Sequence, residues 1–338
     1  MIGNTYASFL VSDTSHTGSL RRAVRELALA NELPAEAVSR AEIVATELAT
    51  NLIKHVDTGG EILLGSAVAG DHIKAVEMLA LDKGRGMGNP DLMLTDGVST
   101  TGTLGGGLGA IKRLSDEFDI HSQVGRGTAI FSRIWTRKIK PKWQQNGAEI
   151  AGIIVPYPGE QVSGDRWAIR RVGDKITILL ADGLGHGQKA ALAAEESVRV
   201  FLSATSLRPA DLLRQMHEAL QHTQGAAVAI AELDSVGETL TYSGLGNISG
   251  RLCLSGEVRG CVSMSGGVGF QWNKAQEFTY PWTEQSLLLM NSDGLTSSVN
   301  PIGLTKHHGS LIAAILYRDF RRNADDTVVI VARSRRRK

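Results

Sequence analysis

The order of helical and strand-like patterns changes once along the 338-residue chain, at about residues 139–147, and this change predicts two domains. Before it, two amphipathic helices, over 18–31 and 35–55, precede strand-like runs, a glycine-rich stretch and a hairpin. After it, short strands are interleaved with single helices. We therefore predict one domain over 1–138 and another over 148–338, joined by a polar linker at 139–147 that has no periodicity.

Charge and composition argue against several classes of function. The 36 Lys and Arg against 35 Asp and Glu leave a net charge of +1, too weak a field to indicate a nucleic-acid or membrane partner. Only Cys253 and Cys261 are present, which excludes a disulfide scaffold. The sequence has no apolar run of about 18 residues and no signal-peptide pattern at its start. We expect a cytoplasmic protein.

Four elements of the first domain follow one another in an order that suits a nucleotide pocket. They are Glu47 with Asn51 on one helix face, Asp82–Gly86 after a strand, Gly105–Gly109 before a helix, and Gly127–Thr128 at the start of the last strand. Glycines let backbone N–H groups approach an anion, and a helix start favours phosphate. One such cluster is a weak signal, whereas four in this order are a strong one.

The stretches AEIVATELATNLIKH, LDKGRGMGNPDLMLTDGVSTTGTLGGGLGAIKRLSDEF and VGRGTAIF resemble the GHKL-type ATP-binding serine kinases of bacterial partner-switching systems, above all the RsbT-type switch kinases. The resemblance extends over residues 1–136. It implies a GHKL (Bergerat-type) α/β sandwich that binds ATP and Mg²⁺. It also implies STAS-domain antagonist or scaffold proteins as partners, in a sigma-factor or stressosome-like pathway.

The same resemblance implies a role for each matching residue. Asn51 would coordinate the Mg²⁺ that bridges the ATP phosphates, Asp82 would bond the adenine amino group, and Glu47 would accept the proton of the attacking hydroxyl. The glycines and threonine would enclose the nucleotide, with Gly84, Gly86 and Thr128 at the base and Gly105, Gly107 and Gly109 around the phosphates.

Position 50 departs from the RsbT-type pattern, because Thr50 stands where those kinases commonly carry arginine. If that arginine holds the γ-phosphate or the partner, the first domain is instead an ATP-gated, anti-sigma-like module that binds a partner without transferring phosphate. Glu47 favours the kinase and Thr50 favours the binding module. Lys54 and His55, one turn further on, are expected as surface and packing residues.

The second domain carries aspartates at predicted strand ends and turns. They are Asp165, Asp182, Asp293 and the adjacent pair Asp325 and Asp326. Two of these sites repeat the pattern of an apolar strand followed by Asp, Gly and Leu, which turns alone do not require. Oxygen ligands without His or Cys suit Mg²⁺ or Mn²⁺.

These aspartates lie in SGDRWAI, ADGLGHGQKAALAAEES, NSDGLTSS and DDTVVIVAR, which match the PPM-type (2C-type) Ser/Thr phosphatases of the SpoIIE/RsbX branch. The resemblance extends over 150–333 and implies a PPM-type α-β-β-α sandwich that holds two Mg²⁺ or Mn²⁺ ions. It implies that Asp182 bridges the two ions and that the Gly183 carbonyl binds one. Asp165, Asp293 and either Asp325 or Asp326 would complete the set.

A cysteine-phosphatase motif also has to be considered. Cys253 and Arg259 have the C-x₅-R spacing, but residues 255–257 predict a hairpin turn rather than a loop that leads into a helix N-terminus. We therefore do not expect Cys253 to be catalytic. His186 in GLGHG is expected as a loop residue near the metals and not as a ligand.

Together the two halves predict a bifunctional switch. Its first domain would phosphorylate Ser or Thr of a STAS-type partner, and its second would remove such phosphates with the help of two metal ions. The alternative keeps the phosphatase but makes the first domain an ATP-gated binding module.

Overall fold

The computed structural model describes residues 1–69, 73–94, 107–137, 147–272, 274–322 and 325–334. The chain forms two compact units, the first of Tyr6–Pro141 and the second of Met1–Thr5 with Lys142–Lys338. The predicted linker lies almost wholly outside the described residues, so the domain bounds remain a prediction.

The first unit contains five strands and four helices among its described residues. They are β1 (Ala7–Val11), α1 (Thr14–Ala30), α2 (Ala35–His55), β2 (Gly60–Ala69), β3 (Ile73–Leu81), α3 (Pro90–Met93), α4 (Gly107–Leu114), β4 (Glu117–Gln123) and β5 (Gly127–Trp135). The strands form one antiparallel sheet in the order β1-β2-β3-β5-β4. Alternate residues of β2 and β3, such as Ile62 and Met78, pack against the buried stripe of α2 around Leu48. The predicted α/β sandwich is confirmed.

The second unit contains ten strands and three helices among its described residues. They are β6 (Ala148–Val155), β7 (Asp165–Val172), β8 (Lys175–Gly183), α5 (Gly187–Ser203), α6 (Pro209–Ala219), β9 (Ala226–Asp234), β10 (Thr239–Leu245), β11 (Ser249–Leu254), β12 (Glu257–Cys261), β13 (Phe278–Pro281), β14 (Leu287–Asn291), α7 (Gly309–Phe320) and β15 (Thr327–Ser334).

These strands form two five-stranded sheets, in the orders β13-β10-β9-β8-β7 and β12-β11-β14-β15-β6. Side chains from both sheets, including Trp167, Tyr242 and Met290, share one buried cluster between them. Helices α5 and α6 cover the outer face of the first sheet, while α7 packs on β6 and β15 of the second. The predicted α-β-β-α sandwich is confirmed.

The first residues of the chain extend the sheet of the second unit. The amino group of Met1 donates to the Ile169 carbonyl over 2.9 Å, and the Gly3 N–H donates to the Trp167 carbonyl over 2.8 Å. A Cβ atom on Gly3 would lie only 2.0 Å from the Trp167 ring, so the close approach needs glycine. The predicted first domain begins at residue 1, whereas in the structure residues 1–5 pack within the second unit.

Within the described residues, no helix combines the length and the apolar character that a membrane span requires.

Candidate active sites

Helix α2 directs Glu47 and Asn51 toward the first residue of α4. A Cβ atom on Gly107 would lie 3.1 Å from Glu47 Oε2 and 3.4 Å from Asn51 Oδ1. Both polar residues sit beside the buried stripe of α2, which includes Leu48 and Leu52 and fixes the orientation of the helix on the sheet. The absence of a side chain at position 107 therefore keeps a space open between an acid, an amide and a helix start.

The side chain of Asn51 has an unsatisfied polar atom in this space. Its amide nitrogen is buried and has no hydrogen-bond partner among the described residues. An unpartnered buried polar group costs about 1–3 kcal/mol, so a polar ligand at this point would stabilise the fold. The acid, the amide and the glycine at a helix start fit a metal–phosphate group. Of the predicted phosphate-binding glycines, Gly107 and Gly109 lie in α4, and Gly105 lies outside the described residues.

Asp82, directly after β3, is oriented by backbone donors. Its Oδ1 accepts the Gly84 N–H over 2.8 Å and the Thr128 N–H over 3.2 Å. Its own N–H donates to the Thr128 carbonyl over 3.0 Å. The start of β5 thus fixes the carboxylate that the sequence assigns to the adenine, and brings Gly84 and Thr128 beside it.

Two glycines make this end of the pocket sterically possible. Gly86 has φ +66° and Gly127 has φ +91°, which are left-handed conformations. Cβ atoms at these positions would lie 2.1 Å from the Gln123 and Asp82 carbonyl oxygens, respectively. The turns therefore bring the β3 end and the β4–β5 hairpin within hydrogen-bond distance.

One residue of this pocket carries no sequence signal. Ser122 Oγ accepts the Met87 N–H over 2.7 Å and lies 2.9 Å from the Thr128 hydroxyl. It thereby connects the segment after Gly86 to β5. A lone serine in a predicted hairpin strand gives no reason to expect this role.

In the second unit, Asp165 and Asp182 face each other at one end of the β7–β8 hairpin. Asp165 is 1% exposed, and its Oδ2 is buried without a hydrogen-bond partner in the described part of the chain. Burial first, and then the charge of Asp182, raises the pKa of Asp165 well above its ordinary value. Burial, followed by Asp293 and Asp325, raises the pKa of Asp182 to about 7. Asp326 also raises the pKa of both acids, so five aspartates influence one another within one region.

The second sheet contributes Asp293, just after β14, and Asp325, just before β15. The pKa of Asp325 is raised by burial and then by Asp293. Asp293 Oδ2 accepts a hydrogen bond from Asn247 Nδ2 over 2.8 Å. Asn247 follows β10, so this contact joins the first sheet to the second at the end where the acids meet. Asn247 was not among the predicted site residues.

Asp326 makes different contacts from its neighbour Asp325. One oxygen of Asp326 accepts the Tyr157 N–H and the other accepts the Gly164 N–H, each over 2.8 Å. The residue is 2% exposed. Its carboxylate therefore holds the β6–β7 connection in place, whereas the side chain of Asp325 faces Asp293.

The donor set fits divalent cations of the Mg²⁺ or Mn²⁺ kind. Carboxylates with raised pKa values and an unpartnered buried oxygen at Asp165 concentrate negative charge that a hard cation would neutralise. Within the described residues, no three or more His, Cys, Asp or Glu side chains already form a complete ligand cage. Asp165 is paired with Asp182, and Asp293 with Asp325, while Asp182 is also influenced by Asp293 and Asp325.

Gly183 and Ser292 support the acids by packing and hydrogen bonding. A Cβ atom on Gly183 would lie 2.0 Å from the Ala190 carbonyl oxygen, so only glycine lets α5 pack this closely behind Asp182. Ser292 Oγ accepts the Val328 N–H over 3.0 Å, and its hydrogen bond to Asp165 lowers the pKa of that acid, against the larger effect of burial. Ser292 was missed because it lies beside a stronger Asp-Gly signal.

Comparison with known proteins agrees with this geometry. The histidine kinase-like ATPase domain family matches residues 10–133, and the stage II sporulation protein E (SpoIIE) family matches residues 173–335. The serine/threonine-protein kinase RsbT of Bacillus subtilis (strain 168) is 37% identical over 111 residues, which are 32% of this chain and 82% of RsbT.

The chain belongs to the RsbT family. This RsbT-family chain also carries a SpoIIE-type domain of the PPM phosphatase fold, and it is an enzyme. A solved structure described as "The bacterial stressosome: a modular system that has been adapted to control secondary messenger signaling" has 25% identity and a TM-score of 0.52. The match covers 55% of this chain and 99% of that one. RsbX in complex with magnesium shares the fold, with 20% identity and a TM-score of 0.51 over 56% of this chain and 96% of RsbX.

The cysteine motif of this RsbT-family chain lies in a hairpin, as predicted. Strands β11 and β12 pair on either side of Ser255 and Gly256, whose φ angles are +51° and +83°. The motif leads into strand β12 rather than into a helix, and burial raises the pKa of the Cys253 thiol. The hairpin therefore lacks the features that activate a cysteine nucleophile.

His186 lies at the N-terminal end of α5, four residues after Asp182. Its ring stacks on Tyr157 with centroids 5.1 Å apart, and its Nδ1 lies 3.3 Å from Glu160 Oε1. The ring is therefore held by the β6–β7 connection, in agreement with its expected place in a loop near the acids.

Proposed function

We propose that this chain is a bifunctional partner switch. Its first unit transfers phosphate from ATP to Ser or Thr of a STAS-type partner, and its second unit hydrolyses the phosphate from such a partner. The observation that carries the proposal is that each unit has its own set of acids suited to one of the two reactions. Glu47 borders the space before Gly107, and four aspartates gather at the strand ends of the second unit.

In the kinase reaction, phosphoryl transfer depends on positioning and charge neutralisation rather than on covalent chemistry. Asp82 and its neighbouring glycines would hold the adenine, and Asn51 would hold the Mg²⁺ that accompanies the phosphates. Glu47 takes the proton of the attacking hydroxyl, because its Oε2 borders the space in front of the α4 start. General-base catalysis of this kind contributes ~10²–10⁴-fold.

In the phosphatase reaction, two bound Mg²⁺ or Mn²⁺ ions would neutralise the phosphoryl oxygens and activate a water nucleophile. Asp182 faces Asp165 and is also influenced by Asp293 and Asp325, and is therefore placed to hold both ions. Asp165 and Asp293 each support one ion. We assign the remaining position to Asp325, since the oxygens of Asp326 are engaged by Tyr157 and Gly164.

A second candidate function is favoured by Thr50. This residue lies on α2 between Glu47 and Asn51 and supplies no positive charge for a γ-phosphate. In that case the first unit binds ATP and a partner without transferring phosphate, and only the second unit is catalytic. Lys54 and His55 follow on the same helix, and the pKa of His55 is lowered by burial and then by the nearby charges of Arg85 and Lys54. The side chains of Lys54 and His55 are both exposed, as expected for surface residues, so Thr50 keeps its weight in favour of this alternative.

The test uses the full-length Asp182→Asn variant, so that any phosphate transferred to a partner is retained. The variant is incubated with radiolabelled ATP, Mg²⁺ and a panel of purified STAS-domain proteins. If the first unit is a kinase, radioactive phosphate should appear on Ser or Thr of at least one of these proteins. This label should be absent with the Asp182→Asn/Glu47→Gln double variant. ATP-dependent complex formation without label across the panel would favour the binding module instead.

The site of action and the choice of metal are also part of the proposal. We propose that the chain acts in the cytoplasm on protein partners of a sigma-factor or stressosome-like pathway, and that Mg²⁺ accompanies ATP. Titration of the phosphatase rate with Mg²⁺ and Mn²⁺ distinguishes the two ions for the second unit.

A further inference from the structure

An exposed aromatic pair lies on the long connection between β12 and β13. Phe270 is 49% exposed and Trp272 is 38% exposed. Soluble proteins rarely leave neighbouring large aromatic side chains in water without a functional reason. With Leu184, which is 41% exposed, these residues define what we call the aromatic patch.

The aromatic patch is held by specific contacts rather than by a loose loop. Val268 pairs with Ala226 through two backbone hydrogen bonds of 3.0 and 2.9 Å. The Phe270 ring packs on Gly225, where an added Cβ atom would lie 2.5 Å from the ring. Trp272 packs on the His217 ring with centroids 4.7 Å apart. The exposed faces of both rings are therefore fixed in position.

The same contacts connect the aromatic patch to the proposed phosphatase site. Gly183, which follows Asp182, pairs with Ala226 across β8 and β9. The next N–H, that of Leu184, donates to the Gly225 carbonyl over 3.1 Å. Phe270 therefore packs on the residue that is hydrogen bonded to the segment directly after Asp182.

We propose that the aromatic patch is the docking surface for the phosphoprotein substrate of the second unit, an inference that rests on the phosphatase function proposed above. A folded substrate that delivers a phosphoserine covers about 800 Å² of the enzyme, a disc of about 16 Å radius. Leu184 is two residues after Asp182, and Phe270 packs on Gly225, whose carbonyl accepts the Leu184 N–H. Both residues therefore lie within about 16 Å of Asp182, at ~3.8 Å between consecutive Cα atoms. The patch thus meets apolar residues around the phosphoserine of a folded STAS-type protein, whereas a small phosphate ester does not reach it.

The test compares two substrates of the full-length chain. One is p-nitrophenyl phosphate, and the other is a STAS-domain protein with a genetically encoded phosphoserine at its acceptor position. Phe270→Glu and Trp272→Glu should each lower kcat/KM for the phosphoprotein ~10-fold or more, mainly through KM, as expected for aromatic residues at the centre of an interface. The rate with p-nitrophenyl phosphate should stay within about twofold of wild type, because the patch does not contact a small ester.

Matched control variants are available on the same sheet. Val172, the last residue of β7, is 56% exposed, and Val236, in the β9–β10 turn, is 62% exposed; both lie at the opposite end of β7–β10. That end is about 26 Å from Ala226 along β9, at ~3.3 Å per residue. Val172→Glu and Val236→Glu should therefore leave the rates with both substrates unchanged.

The possible outcomes separate this proposal from the function on which it rests. If the wild-type chain hydrolyses neither substrate with Mg²⁺ or Mn²⁺, or only the small ester, the phosphoprotein phosphatase function fails and the docking surface with it. If both substrates are hydrolysed and the Glu variants leave the phosphoprotein rate unchanged, only the docking surface is wrong. A parallel loss of both rates, also in the milder Phe270→Ser and Trp272→Ser variants, would likewise overturn it, since the patch would then support catalysis itself.

Discussion

The nucleotide pocket and the aspartate site use acidic side chains in opposite ways. Asp82 in the pocket accepts two backbone N–H groups, which fix its carboxylate before any ligand arrives. Asp165 in the aspartate site has a buried oxygen that finds no hydrogen-bond partner in the described part of the chain, and burial and neighbouring acids raise its pKa. The first arrangement provides an oriented hydrogen-bond acceptor for a base. The second brings together carboxylates whose charge a bound divalent cation would neutralise.

This difference predicts different responses to metal. Removal of divalent cations should affect the first unit only through the Mg²⁺ that accompanies ATP. In the second unit, cations bind the folded state and not the unfolded chain, so they should also stabilise the fold. The following changes to single side chains test the contrast.

The largest effect is expected for Asp182→Asn, because this acid faces Asp165 and is also influenced by Asp293 and Asp325. Hydrolysis of p-nitrophenyl phosphate should fall by at least ~10⁴-fold, since uncatalysed phosphate ester hydrolysis is extremely slow. The rise in melting temperature that Mn²⁺ causes in the wild type should also be lost. Asp174→Asn, in the exposed turn at the other end of the β7–β8 hairpin, is the matched control. A wild-type rate in Asp182→Asn would show that the metal assignment is wrong.

The next largest effect is expected for Glu47→Gln in the first unit. The amide keeps the shape of the side chain but cannot accept the hydroxyl proton, so phosphate transfer should fall ~10²–10⁴-fold. The affinity for ATP, measured by calorimetry, should remain close to that of the wild type. Asn51→Ala should abolish ATP binding and serves as the control for loss of the nucleotide pocket. Glu42→Gln, on the same helix and paired with Arg25 at 3.3 Å, is the matched control.

A smaller but more discriminating effect is expected at the adjacent acids Asp325 and Asp326. Asp325→Asn should weaken the dependence of activity on Mn²⁺ and leave the melting temperature of the metal-free protein nearly unchanged. Asp326→Asn should reduce the free energy of unfolding by about 1.5–3 kcal/mol, because its charged oxygens accept hydrogen bonds from Tyr157 and Gly164. Chemical denaturation with chelator present and metal titration measure the two effects. The reverse pattern would exchange the two roles.

The smallest effect is expected for Cys253→Ser. Burial raises the pKa of the Cys253 thiol, and it raises that of Cys261 to about 12. Both groups are therefore thiols rather than thiolates at neutral pH and should react slowly with iodoacetamide. Phosphatase activity of Cys253→Ser should equal that of the wild type. A large loss of phosphatase activity in Cys253→Ser would instead support a catalytic role for this cysteine.

Elements with a strong internal pattern were predictable from the sequence. The predicted helix over 35–55 has the same bounds as α2, because its apolar residues recur at helical spacing over five turns. Strands β1 and β13 were missed, and β12 was predicted only as the second strand of the hairpin at 255–257; each lies at the edge of its sheet. Edge strands such as β1 and β12 are mostly exposed. They are stabilised by backbone hydrogen bonds to the neighbouring strand, and their sequences lack the alternation of buried and exposed residues from which a strand is predicted.

The residues of the two sites were predictable as types and positions but not as contacts. The sequence and its resemblances singled out Glu47, Asn51 and the aspartates, and their roles remain predictions. Ser122, Asn247 and Ser292 had no signal, because a single polar residue in a strand or turn has many ordinary uses. Their importance follows from hydrogen bonds to distant segments, such as the bond from Asn247 to Asp293.

The sequence by itself determined that the chain contains two kinds of domain, since helical and strand periodicities, glycine clusters and Asp-Gly turns are local patterns. Only the tertiary structure distinguished Asp325 from Asp326, which are neighbours of the same type in the chain. The distinction depends on N–H groups of Tyr157 and Gly164, more than 160 residues away in sequence. A hydrogen bond over that separation is determined by the packing of the two sheets. The local sequence does not determine which distant backbone group will lie beside a given side chain.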